Sequence, residues 1–356
     1  MRRAILLALL LLVPPLRAAA PEFAPVVPGR AMSFPADHGS HPDFRTEWWY
    51  VTGWLTTASG ESLGFQVTFF RTRPQIDETN PSAFAAKELI IAHAAVSDPR
   101  RDGLWHEQRI ARSALGLAGA ARDTTNVWLD RWQLRGDGTT WQTTLAGDAL
   151  SLSLELTATQ PPLVNGEAGL SRKGPDRLSA SWYYSIPHLR VQGTLGRGNA
   201  RAEAVTGSAW LDHEWSSEYL DAEASGWDWT GINLDDGGAL MAFRIRDRDG
   251  GARWAGGTLR SRDGTVRTFS PAELRFEPGR SWQSPRTGTT YPVEWRIVAG
   301  DRTFDLRPLM DDQENDARLS TGAVYWEGAV TAVEDGARVG RGYLELTGYG
   351  EPLKLP

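Results

Sequence analysis

The 356-residue chain contains no cysteine. That excludes disulfides, thiol catalysis, cysteine-bound zinc and lipid attachment at an N-terminal cysteine. Lysine is nearly missing too: Lys87, Lys173 and Lys354 stand against a background of arginine. The net charge of −6 argues against a nucleic-acid partner, because phosphate binding needs a basic field. Gly-x-Ser-x-Gly, Ser-x-x-Lys and glycine-rich phosphate loops are absent, which removes the common hydrolase and nucleotide signatures. His38, His41, His93 and His213, with Asp37, Glu47 or Asp212, could converge on a cation. None of them shows the His-x-x-x-His or His-x-His spacing of a recognisable zinc site, so no metal and no cofactor is assigned. Helical periodicity is almost absent, with 81–88 and 113–120 as the only helical candidates.

What is present begins with Met1-Arg2-Arg3, an apolar run from Ala4 to Val13, and Ala18-Ala19-Ala20. The run is short for a bilayer span and is followed by small residues, the pattern of a secretory signal peptide over 1–20. No later stretch is apolar enough to span a membrane. These features predict a periplasmic or secreted protein, with a flexible lead-in over 21–33.

The chain carries 16 Trp, more than either Tyr or Phe. Tryptophan suits pleated surfaces and apolar pockets. Short strands alternate with Gly/Asp turns throughout, as at Asp235-Asp236-Gly237-Gly238, and many short strands at regular spacing mean barrels or sandwiches. An internal echo suggests duplication. Trp49-Tyr50-Val51-Thr52-Gly53 matches Trp227-Asp228-Trp229-Thr230-Gly231. Asp37-His38 matches Asp212-His213, and Leu189 to Gly193 matches Leu344 to Gly348. The expectation is an all-β protein of two lipocalin-like antiparallel barrels or curled sheets, over 34–196 and 200–356.

The candidate chemistry centres on Trp210-Leu211-Asp212-His213-Glu214-Trp215. Strand alternation puts Leu211, His213 and Trp215 on one face and Trp210, Asp212 and Glu214 on the other. A carboxyl pressed against indoles resists ionisation and can serve as a general acid near neutral pH. His213, Asp212, Glu214 and Glu47 are therefore the catalytic candidates. The bland alternatives are a hydrogen-bonded knot around His213 and a cross-strand arginine partner for Glu47. Trp215, Trp210, Trp49, Tyr50, Tyr184, Trp227, Trp229, His38 and His93 are candidate ligand-binding residues. Tyr325-Trp326-Glu327 reads as core plus one surface charge.

These motifs, in order from Phe34-Pro35-Ala36-Asp37-His38 through Glu47 to Gly53, Ala92-His93, Trp182-Tyr183-Tyr184, Trp210 to Trp215 and Gly342 to Tyr349, resemble the AttH-like, lipocalin-type family. That family also contains the carotenoid 1,2-hydratases, and its exported members are described as predicted secreted hydrolases. The resemblance implies two lipocalin-like domains with a cavity near their junction. In the hydratase branch it implies water addition to a terminal trisubstituted alkene, with His213 and Trp215 in the central motif. The Tyr and Asp of that branch have no counterpart in Ala239 to Arg244. The first expectation is thus binding of a long apolar or amphipathic ligand, lipid or isoprenoid, near the junction. The alternatives are a hydratase or hydrolase of an apolar substrate, and an accessory protein of an envelope ABC-type transporter.

Overall fold

A computed structural model describes residues 23–76, 79–82 and 84–353. The expected signal peptide lies outside them. From residue 23 the lead-in is packed: Val26 belongs to the core, and the Ala24 carbonyl accepts from Ser217 Oγ at 2.6 Å.

The first sheet has thirteen strands. They are β1 (Thr46–Thr57), β2 (Ser62–Thr72), β3 (Leu89–Ser97), β4 (Trp105–Arg112), β5 (Ala118–Ala120), β6 (Thr125–Leu129), β7 (Trp132–Gly136), β8 (Thr140–Ala146), β9 (Leu150–Thr157), β10 (Leu163–Val164), β11 (Leu170–Arg172), β12 (Ala180–Arg197) and β13 (Glu203–Ser216). Its order is β4-β3-β2-β1-β13-β12-β9-β8-β7-β6-β5, with β10 and β11 also paired to β12. The sheet curls until its two edges nearly meet. Arg109 of β4 reaches Asp130 at 3.1 Å across that gap.

The remaining strands are β14 (Ala224–Leu234), β15 (Ala239–Asp247), β16 (Ala252–Arg260), β17 (Val266–Phe269), β18 (Leu274–Pro278), β19 (Ser281–Gln283), β20 (Thr290–Pro292), β21 (Trp295–Ala299), β22 (Arg302–Pro308), β23 (Glu314–Ala317), β24 (Ala323–Glu334) and β25 (Ala337–Leu346). The second sheet runs β17-β16-β15-β14-β25-β24-β22-β21-β18, β23 pairs with β24, and β19 and β20 form a separate hairpin. The two large sheets thus share one layout: a four-strand meander whose first strand pairs with the last strand of its own sheet.

That layout corrects the expected boundary. Residues 203–216 do not open the second sheet. They form β13, which pairs with β1 and β12 and completes the first. Asp37-His38 lie in a 3-10 turn before β1 and Asp212-His213 on β13 of the same sheet, so they are not equivalent openings of two domains. The Trp-x-x-Thr-Gly echo does fall on equivalent strands, β1 and β14, but out of step. Trp49 faces the first core, while Trp229, two residues beyond its echo partner Trp227, packs between the sheets. A one-residue slip exchanges the faces of a strand. Likewise Leu189 to Gly193 lies on β12, whereas its echo spans the end of β25, the counterpart of β13.

Strand limits elsewhere have local causes. Val127 to Leu134 is two strands, because Asp130 adopts φ 54 and turns the chain. Trp182 to Leu195 is one strand with a register shift between Ile186 and Leu189. The described residues of 81–88 form no helix, and 118–120 is a strand. Asp311 to Gln313 lead into β23.

β1 and β13 are buried on both faces. Trp49, Val51, Leu55, Leu211 and Trp215 fill the first barrel; Tyr50, Trp54 and Trp210 pack against Trp229, Met241, Phe243 and Tyr343 of the second sheet. Two-sided burial explains the unbroken aromatic run, since neither face needs polar residues for water. At Gly64 of β2 an added Cβ would lie 2.6 Å from Ala329 Cβ, so only glycine permits this approach of the two sheets.

Candidate functional site

Alternation along β1 and β13 divides the predicted residues between two places. Odd positions point into the first barrel. There Glu47 and His213 are wholly buried and built into a knot. Glu47 Oε1 lies 2.9 Å from His213 Nε2 and 2.7 Å from His41 Nδ1. Glu47 Oε2 accepts from Arg71 Nε at 2.8 Å and from the His41 backbone N–H at 2.9 Å. His41 Nε2 sits 3.2 Å from Asp37 Oδ1, and its ring stacks on Trp215 at 3.6 Å. Tyr184 OH lies 3.1 Å from His213 Nδ1 and 2.7 Å from His38 Nδ1. Trp49 stacks on His213 at 4.7 Å.

Burial and then the nearby His213 lower the His38 pKa to about 4, and burial lowers that of His213. Both rings are therefore neutral near pH 7. His213 Nε2–H donates to Glu47, while Nδ1 lies 3.0 Å from the Asp37 carbonyl, which can only accept, and 3.1 Å from Tyr184 OH. Burial alone would lower the His41 pKa, but hydrogen bonds to Asp37 and Glu47 raise it. Burial likewise opposes ionisation of Glu47, yet Arg71 and the two histidines hold its carboxyl well below the usual range. His41, Glu47 and His213 bring ligand-type atoms within 4.8 Å of one another. Both Glu47 oxygens, however, already accept hydrogen bonds from the chain, and Arg71 supplies the counter-charge. The arrangement acts as a polar knot, and none of its residues lines the cavity between the sheets.

Even positions point the other way, into a cavity between the two sheets. Its floor carries Tyr50 of β1, Asp212 and Glu214 of β13, Glu327 of β24 and Glu345 of β25. Half-buried Trp48, Phe70, Trp227 and Ala323 also line it and mark its mouth. The space open to water centres is about 90 Å³, which corresponds to roughly six to nine water positions. It therefore takes a group the size of a prenyl unit rather than a whole long ligand.

Four carboxyl groups surround this space, and their partners differ. Glu214 is held 2.8 Å from Lys173 Nζ, a lysine buried to 2% exposure. Asp212 accepts from Trp210 Nε1, Tyr183 OH and Ser185 Oγ, each at 2.6 Å; burial outweighs these bonds and pushes its pKa up to about 7. Glu327 and Glu345 face each other on adjacent strands without a cation in contact. Burial and their mutual repulsion raise Glu327 well above the usual range, and burial with Asp212 and Glu214 nearby raises Glu345. Glu327 Oε1 and the Tyr50 hydroxyl make no hydrogen bond of ordinary length, but they lie near each other, and Tyr50 and Tyr325 both act on the Glu327 carboxyl as weak hydrogen-bond partners. Buried polar atoms normally have full-strength partners, so these loosely paired groups keep capacity to bond a guest molecule or water.

A raised carboxyl pKa costs stability at high pH. The folded state then holds a proton that the unfolded chain has released, so stability rises as pH falls from the raised pKa toward the ordinary one. Glu345→Gln removes that penalty. Its melting temperature is expected to exceed wild type at pH 8 and to converge on it near pH 5; a constant offset would show that Glu345 does not titrate this way.

Of the predicted residues, Asp212, Glu214, Tyr50, Trp227, Trp229 and His93 line the cavity. Trp210 stands behind Asp212. His213, Glu47, Trp215, Trp49, Tyr184 and His38 belong to the knot. His93 also ties the sheets together, its Nδ1 2.8 Å from Tyr325 OH and its Nε2 2.8 Å from Ser320 Oγ. Burial lowers its pKa to about 3, so it is a neutral link. Lys173, Glu327 and Glu345 were not foreseen, and Glu327 is buried, contrary to its reading as a surface charge. Counting outward from the turn at Asp335-Gly336 would set Glu327 opposite Leu344. A register shift between Ala332 and Val333 brings Glu345 there instead.

A family model described as AttH-like matches residues 25–349. The crystal structure of a Nitrosomonas europaea protein assigned to AttH is 51% identical, covering 92% of this chain and 100% of its own, with a TM-score of 0.87. Kievitone hydratase from Nectria haematococca shares the fold at 16% identity, 94% and 98% coverage and a TM-score of 0.68. CghA does so at 14% identity, with the same coverage and a TM-score of 0.56. No curated protein matches the chain.

Proposed function

The chain belongs to the AttH-like family, and we propose that it is a hydratase that adds water to an alkene carried by an apolar substrate in the cavity between its sheets. The observation that carries this reading is the Glu327–Glu345 pair: acids without a cation in contact, in an aromatic cavity, beside a second set of carboxyls. The fold shared with kievitone hydratase is compatible with it.

In the proposed reaction Glu327 gives its proton to one alkene carbon. A C–H bond forms, the π bond breaks, and the neighbouring carbon becomes a tertiary cation. The faces of Trp227 and Trp229 stabilise that charge. Water attacks the cation, and its proton passes to ionised Asp212 or Glu345, from which Glu327 is reprotonated. Glu214 is tied to Lys173 and takes no part in the proton transfer. The net change is one water added and no electrons transferred. A polarity match supports the same division of labour: carboxyls with raised pKa values are suited to general acid work near neutral pH.

The test is an incubation of purified protein with acyclic terpenoids bearing a terminal trisubstituted alkene, with the alcohol detected by mass spectrometry. Wild type should form it. His213→Asn should lower the melting temperature while retaining turnover per folded molecule. Absence of product with wild type across such alkenes would sink the reading, and a substrate-bound but unreacted protein would point to a carrier instead.

A further inference from the structure

The face of β2 and β3 that lines the cavity does not end at its mouth. One strand outward lies a groove lined by Phe84, Leu89, Ile110, Leu115 and Leu117, with Arg112 as its charged member. Leu115 is 74% exposed, Phe84 66% and Leu117 60%. Single exposed apolar side chains are ordinary; a contiguous group marks a contact surface.

Strand register makes this groove continuous with the cavity. Ile110 pairs with Ile91 and Leu89 with Thr72, and both Ile91 and Thr72 line the cavity. Gln108, two residues before Ile110 on the same face, donates to the Asp316 carbonyl of the second sheet at 2.7 Å. Ile110 therefore looks toward the junction side, beside the mouth. No carboxylate lines the groove. The Arg112 guanidinium lies over the Phe84 ring at 5.4 Å and donates to the Phe84 carbonyl at 2.7 Å, so a cation sits among the protruding apolar groups.

We propose that this groove docks on an anionic lipid surface, with Phe84, Leu115 and Leu117 entering the headgroup–acyl boundary and Arg112 meeting lipid phosphate. Apolar side chains plus a cation are what interfacial attachment uses. A lipid-dissolved molecule would then reach the mouth along Leu89 and Ile110 without crossing water. The inference deepens the hydratase reading by giving its substrate an entry route and rests on that reading for its purpose. The docking test needs no substrate, so either idea can fail alone.

The absence of cysteine makes the experiment direct. Single variants Leu115→Cys, Phe84→Cys and, on the β16–β17 turn of the second sheet, Arg262→Cys are made in the full chain and labelled with an environment-sensitive dye. The probes are vesicles of phosphatidylcholine with phosphatidylglycerol, and vesicles of phosphatidylcholine alone. The expected result is a blue shift and brightening at 115 and 84 with anionic vesicles, less with neutral ones, and none at 262. Arg112→Gln in the Leu115→Cys background should reduce the anionic preference. No change at 115 and 84 with either vesicle overturns the proposal. So does an equal change at 262, which means general adsorption, or a change that follows protein concentration without vesicles, which means a second copy of the chain covers the groove.

Discussion

Glu327→Gln is expected to lower the rate of alkene hydration by roughly two to four orders of magnitude, the usual contribution of a positioned general acid. The amide matches the carboxyl in shape and is neutral, as the protonated acid is. It cannot release a proton to carbon. Because burial and Glu345 keep Glu327 protonated, the substitution removes no ion pair, and the melting temperature should hold or rise. The wild-type rate should fall as pH rises through the raised carboxyl pKa values, since the proton-bearing form is then lost. Asp212→Asn should also reduce turnover, but with a loss of stability, because Asp212 accepts three hydrogen bonds and an amide nitrogen would face one of the donors. Steady-state rates with melting curves on the same preparations separate the two effects.

Glu47→Ala is expected to have the largest effect on stability, about 3–5 kcal/mol, because removing one partner of a buried ion pair leaves the other charge uncompensated. Arg71 and Glu47 are both fully buried and 2.8 Å apart, and His41 and His213 also direct nitrogen atoms at this carboxyl. The double variant Glu47→Gln with Arg71→Met should recover part of the loss. The pH dependence follows from the signs of the shifts. The Glu47 pKa is depressed in the fold, so its stabilisation is present above the ordinary value of 4.5 and disappears as pH falls through the folded value. The His41 pKa is raised, so its share is complete below 6.5 and is lost as pH rises through its folded value. The destabilisation by Glu47→Ala should therefore be greatest between pH 4.5 and 6.5. Denaturant titrations at several pH values measure it; a small, pH-independent loss would mean that the knot contributes little.

The division of Leu211, His213 and Trp215 from Trp210, Asp212 and Glu214 was legible in the sequence, because the period of a strand is two and β13 is regular. So was the arginine partner of Glu47. What a single strand cannot say is which side faces a cavity. His213 is the most conspicuous residue of its motif, yet its side faces a filled barrel, while the carboxyls beside it face the junction. The pairing of Glu327 with Glu345 needs the hairpin register, and a bulge shifts that register by one. The repeat was visible as a strand-level echo. Its phase was not, because Trp49 and Trp227 occupy matching motifs on opposite faces. The domain boundary was misplaced for a topological reason: the last strand of each sheet returns to pair with the first, so β13 follows a long excursion and looks like a new beginning.

The central claim is that chemistry belongs to the junction cavity rather than to the histidine knot. The most direct measurement is incorporation of oxygen from isotopically heavy water into the product alcohol, comparing wild type, Glu327→Gln and His213→Asn at equal folded concentration. The account predicts label in the product of wild type and His213→Asn and its near-complete loss with Glu327→Gln. Label retained by Glu327→Gln and lost by folded His213→Asn would contradict it and return the reaction to the knot.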